Sequence, residues 1–190
     1  SVGSGENNSI TSSWGAISGG ASNNVTGSWG QIGGGQRNAI MDSQAWSTIG
    51  GGQNDTIRGA WGVIGGGQNN TIERSWSTVG GGQNNTTEDA WGAIAGGQGN
   101  VVDEAWGGIG GGQENMVTGT WGAIAGGQRN LASGSSSFIG GGDTNAASGT
   151  WSVVGGGQRN LASGAWSFVG GGHRDTATGT WAAIVGGNLN

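Results

Sequence analysis

The chain of 190 residues contains no cysteine, proline, tyrosine or lysine, and a single histidine. Without cysteine there is no disulfide framework and no thiolate chemistry. Charged residues make up 9% of the chain, far below the ~25% of ordinary soluble domains. All the basic residues are arginines, the net charge is -5, and the sparse row of Arg129, Arg159 and Arg174 is too thin for the basic footprint that nucleic acid requires. No run approaches the ~18 apolar residues of a membrane helix, so this segment is not expected to insert into a membrane. Serines abound, but a lone histidine and no thiol leave them without an activating base system. Catalysis, a bound cofactor and a dedicated metal site are therefore not expected.

What fills the chain instead is glycine, 49 residues, with 11 tryptophans. Glycine at this level is common in flexible linkers. Here it is periodic and interleaved with branched aliphatics and indoles, which disordered segments lack. Tryptophan stands at Trp14, Trp29, Trp46, Trp61, Trp76, Trp91, Trp106, Trp121, Trp151, Trp166 and Trp181. The interval is fifteen, except seventeen from Trp29 to Trp46 and thirty from Trp121 to Trp151, where Ser136 takes the Trp place.

With Trp as column 1, column 4 is always Ile or Val, as at Ile17, Ile64, Val79 and Val169. Column 12 is aliphatic from Ile10 to Ala177, with Thr87 as the polar exception. Columns 6 and 7 are glycine in every coil after Ser4-Gly5, and column 8 is mostly Gln. A helix would lose about 1 kcal/mol for each of these glycines, and columns 4 and 12 do not form a 3.6-residue stripe. The pattern predicts an all-β fold: one parallel β-solenoid over residues 1–190, of about 12–13 coils, each with two short strands joined by tight turns. The glycine pair supplies positive φ at a corner.

Column 10 is Asn at Asn23, Asn38, Asn70, Asn85, Asn100, Asn115, Asn130, Asn145 and Asn160, and Asp at Asp55 and Asp175. Identical amides stacked coil on coil form a hydrogen-bonded ladder, each link worth about 1 kcal/mol net. Asn as a turn former is compatible with that ladder.

Neighbours alternate sides along a strand. If column 4 points in, so does the small column 2, while the Trp of column 1 and Val63, Phe138, Val153 and Phe168 of column 3 point out. That leaves an aromatic strip larger than the few hundred Å² a monomer usually exposes. Three readings stand: self-association as a trimer or fibre, a polysaccharide stacked on the indoles, or Trp as plain core.

The C-terminal half, as in Leu161-Ala162-Ser163-Gly164-Ala165-Trp166-Ser167-Phe168-Val169-Gly170 and Leu131-Ala132-Ser133-Gly134-Ser135-Ser136-Ser137-Phe138-Ile139-Gly140, resembles the YadA-like head repeats of trimeric autotransporter adhesins. The resemblance implies an extracellular, trimeric, ligand-binding β-roll facing a host surface. It is specific in motif from about residue 118 onward. The family's repeat is a residue shorter and lacks a Trp in nearly every coil, and its neck, stalk and membrane anchor have no counterpart here.

The pattern begins at Ser1-Val2-Gly3 and ends without a polar cap, so head-to-tail stacking into a filament is expected as well. Secondary candidates are His173, read as a Gln substitute in column 8, and the acidic pairs Glu88-Asp89 and Asp103-Glu104 following Glu73-Arg74, read as a solvated patch. Asn7, Asn24, Asn54, Asn69, Asn84 and Asn85 open glycosylation sequons that the turn composition produces by default. The two extra residues near Met41-Asp42-Ser43-Gln44 are read as a surface bulge. Ice binding ranks third behind association and sugar binding, since Thr118, Thr178 and their like look scattered.

Overall fold

The computed structural model describes residues 1–41 and 46–190. The inserted residues that give the Trp29 coil its seventeen-residue length fall outside the described residues. The fold is an all-β parallel β-solenoid with roughly fifteen residues per coil. Two compact units, Ser1–Gly97 and Gln98–Asn190, are described in turn.

In the first unit each coil contributes two strands of two residues. Columns 3 and 4 form one set, such as Val63–Ile64 and Thr78–Val79. Columns 11 and 12 form the other, such as Thr56–Ile57 and Thr71–Ile72. Each strand pairs in parallel with its equivalent in the next coil, Val63 with Thr78 and Ile64 with Val79. The seventeen-residue coil leaves that register intact, since Gln31 faces Thr48 and Ala39 faces Thr56.

The second unit repeats the scheme, with Phe138–Ile139 paired to Val153–Val154 and Leu131–Ala132 to Ala146–Ala147. In both units a third row of isolated parallel bridges runs along column 8, as between Gln53 and Gln68 and between Gln113 and Gln128. The coil therefore has a third hydrogen-bonded side beyond the two strands expected.

Strand alternation decides what is inside. Ile49, Ile57, Ile64 and Ile72 are all fully buried, so columns 4 and 12 meet across the coil. Burying each such side chain is worth about 1.5–3 kcal/mol. In the second unit column 12 turns to alanine, and Ala132, Ala147 and Ala162 face Ile139, Val154 and Val169 in a thinner core. Thr87 is buried as well, and its Oγ1 finds no partner.

The column-10 amides form the expected ladder. Asn70 donates from its backbone N to Asp55 Oδ1 at 2.8 Å, and its Nδ2 donates to Asp55 Oδ1 and to the carbonyls of Gly66 and Gly82. Its own Oδ1 accepts from Asn85 N at 3.1 Å. The side chain thus ties its own corner to the coils on either side. Asn100, Asn115, Asn130, Asn145 and Asn160 do the same work in the second unit.

Asp55 breaks the chemistry of this ladder while keeping its geometry. Its Oδ1 accepts from Asn70 as an amide oxygen would, but Oδ2 is buried without a partner where Asn would place a donor. Burial pushes the Asp55 carboxyl up from its ordinary 3.8, against the opposing hydrogen bonds from Asn70. Folding therefore favours the protonated form. The stability Asp55 contributes is fully present below pH 3.8 and is lost as pH rises through the raised folded value.

Asp55→Asn should accordingly stabilise the protein at pH 7 by about 1–3 kcal/mol, the cost of one orphaned buried polar group. The gain should shrink towards zero below pH 4. Thermal melts of both proteins across that range check it; a gain independent of pH would show that the carboxyl is not the cause.

Candidate functional site

Ten of the eleven tryptophans, Trp46 aside, sit in the left-handed region, with φ from 59° at Trp151 to 67° at Trp76. Ser136, in the same column, has φ 56°. The outward direction expected from strand alternation is correct, but its cause is different: the indole is carried on a turn and not on the strand. A bulky residue at positive φ is a rare outlier, costing about 1–3 kcal/mol where glycine or asparagine would cost little. A column that repeatedly places Trp there is held by what the ring does.

What the ring does is stack. In the first unit the indoles run Trp14, Trp29, Trp46, Trp61, Trp76 and Trp91, with successive rings 4.7 to 5.6 Å apart and within 13° of parallel. In the second unit Trp106 stacks on Trp121, and Trp151, Trp166 and Trp181 form a run of three. Such pairs add about 0.5–1.5 kcal/mol each beyond burial. Trp is not plain core: Trp61 remains 43% exposed although stacked on both faces. Faces are covered and edges look outward.

The strip has apolar company. On the second unit Phe138, Val153 and Phe168 stand in parallel register on the outer face of the column-4 sheet. The outer face of the other sheet carries Met116, Leu131, Ala146 and Leu161 in register. In the first unit the matching outer row is polar, with Thr56, Thr71 and Thr86 one above another. That threonine row is invisible until register is known. It runs for only three residues, with Ala39 in register before Thr56 and Thr86 as its last member in this unit, and it is a poor match for an extended flat array.

Column 8 carries a second amide row on the surface: Gln68 Nε2 donates to Gln53 Oε1, and Gln83 Nε2 to Gln68 Oε1, both at 3.2 Å. His173 joins this row through Nδ1 to Asn188 Oδ1 at 2.9 Å, as the Gln-substitute reading expects. Among the acidic pairs, Glu73 is engaged by Arg58 of the preceding coil. Among the described residues no group of three or more His, Cys, Asp or Glu side chains is placed to hold a metal ion. No described helix is long and apolar enough to cross a membrane. Of the sequons, Asn85 is buried in the ladder, whereas Asn54, Asn69 and Asn84 share exposed side-chain hydrogen bonds. No family model matches the chain, and no curated protein is similar to it in sequence.

Proposed function

We propose that the chain is a non-enzymatic, extracellular structural or adhesive solenoid that associates with further copies of itself through its indole strip, as a trimer or a filament. The observation that carries this reading is a strained turn position filled by Trp in nearly every coil, with the ring edges outward. The fold needs no indole there, since the buried aliphatic columns and the Asn ladder already hold the coils together. Aromatic surfaces of this kind are enriched at the buried centres of protein interfaces. The flanking Phe138, Val153 and Phe168 place the strongest patch on the second unit. The extracellular setting rests on the resemblance to adhesin head repeats and on a composition free of lysine and cysteine.

A polysaccharide platform draws less support from the geometry. Sugars stack on ring faces, and within each stacked run those faces are covered by the neighbouring indoles, which leaves open faces only where a run is interrupted or ends.

Sedimentation velocity of the full chain tests the proposal against Trp151→Asn/Trp166→Asn/Phe168→Asn. Asparagine tolerates the left-handed conformation, so the backbone of both Trp turns is kept. The natural chain should sediment as an oligomer at micromolar concentration and the variant as a monomer, with unchanged far-ultraviolet circular dichroism. A natural chain that is monomeric throughout would overturn the reading.

A further inference from the structure

The second unit's ladder has a gap one ring thick. Ser136 occupies the Trp place, yet the backbone there follows the Trp turn: φ is 56°, Ser136 N donates to Thr120 O at 2.9 Å, and Trp151 N donates to Ser135 O at 2.9 Å. Ala123 pairs with Phe138 and Phe138 with Val153 without a slip in register. Trp121 and Trp151 are therefore two coil steps apart, about 10 Å at the ~4.8 Å spacing of paired strands. Between them lies an open notch of about 530 Å³ lined by Trp121, Ser136 and Trp151.

Each of these indoles is stacked on its far side only, Trp121 on Trp106 and Trp151 on Trp166. Trp121 is 57% exposed, against 43% for the doubly stacked Trp61. Two aromatic faces thus border the notch, one from the Trp106–Trp121 stack and one from the Trp151–Trp166 stack. A flat ring placed midway would lie about 5 Å from each, inside the 4.5–7 Å range of aromatic pairs. The volume suffices for a bicycle, since a cavity of about 150 Å³ already takes benzene.

We propose that this notch is a binding site for one free, flat aromatic heterocycle of indole size, sandwiched between Trp121 and Trp151 over Ser136. The ligand completes the ladder. The walls select for flatness, because both are ring faces, each held in place by the indole stacked behind it. A sugar is disfavoured, since the lining offers its many hydroxyls only the Ser136 hydroxyl and indole N–H groups, with no carboxylate or amide. The site does not depend on self-association and stands or falls separately from it.

Indole is the probe, titrated into the full chain by calorimetry and proton magnetic resonance. The expected result is one indole per chain, with its protons shifted upfield by two ring currents. Ser136→Trp fills the notch on a backbone already shaped for Trp and should weaken binding at least tenfold. Trp76→Ser opens an equivalent notch between Trp61 and Trp91 and should raise the stoichiometry from one to two. Circular dichroism confirms that both variants fold. The proposal fails if indole does not bind, if Ser136→Trp binds it as well as the natural chain, or if cellobiose competes for the notch with equal affinity. It also fails if Ser136→Trp lowers the sedimenting mass while indole has no effect, because the ring in the notch would then come from a second copy.

Discussion

Asn130→Ala should lower the stability of the protein by about 3–5 kcal/mol, a fall in melting temperature on the order of 10 °C for a chain of this size. Asn130 Nδ2 donates to Asn115 Oδ1 and to the carbonyls of Gly126 and Gly142, and its Oδ1 accepts from Asn145 N, all between 3.0 and 3.1 Å. Truncation strands the buried backbone N–H of Asn145 and takes a donor from Asn115 Oδ1 and from the half-buried carbonyls of Gly126 and Gly142. Gln128→Ala is the control. Its Nε2 makes one long, half-buried bond of 3.5 Å to Gln113 Oε1, and its loss should stay within about 0.5 kcal/mol. Similar losses in the two variants would show that the inner amide row is decoration and that the aliphatic columns suffice. Asn130→Asp provides a second check, because it recreates the Asp55 arrangement: its penalty should be largest at neutral pH and relax in acid.

The contrast between these two amide rows explains what could be read from the sequence. Columns 4, 10 and 12 announce themselves because each repeats one side-chain chemistry at one interval, and a solenoid gives equivalent positions equivalent surroundings. Ile64, Asn70 and Ile72 lie where periodicity puts them, inside. Backbone conformation is less accessible. Periodicity says that Trp76 and Trp91 share a conformation but not that it is left-handed, and residue preference argues against it for an indole. The same holds for column 9, where Asn54, Asn69, Arg129 and Arg159 all have φ near 55°. Asparagine there gives a hint and arginine gives none.

Register is the other missing quantity. The Thr56, Thr71 and Thr86 row and the Gln53 to Gln68 bridge follow from it, and both looked incidental without it. The candidate site was half legible. The surplus of Trp pointed to an outward strip, and Ser136 marked its interruption. Only the stacking shows that the faces within each run are consumed and the edges offered. Only the uninterrupted register shows that the interruption at Ser136 is a slot and not a fault.

The glycine pair of columns 6 and 7 reads as one feature in the sequence, and it should split in two on substitution. Gly157→Ala should cost about 3–5 kcal/mol or prevent folding, whereas Gly156→Ala should be neutral or stabilise by up to about 1 kcal/mol. At Gly157 φ is +86°, and an added Cβ would fall on the carbonyl oxygen of Gly172, 2.6 Å from Asn160 Nδ2 and 2.8 Å from Gly172 N. Those atoms cannot retreat, because Gly172 O accepts from both Gln158 N and Asn160 Nδ2. At Gly156 the Cβ meets nothing within 4 Å and φ lies outside the left-handed region. Alanine there mainly restricts the unfolded chain. Urea titrations of the two variants decide the matter. Equal and large losses would mean that column 6 is held by something other than space. Unequal losses would locate the corner's demand in the one glycine whose Cα faces the next coil, the place where the amide ladder and the backbone compete for the same few ångströms.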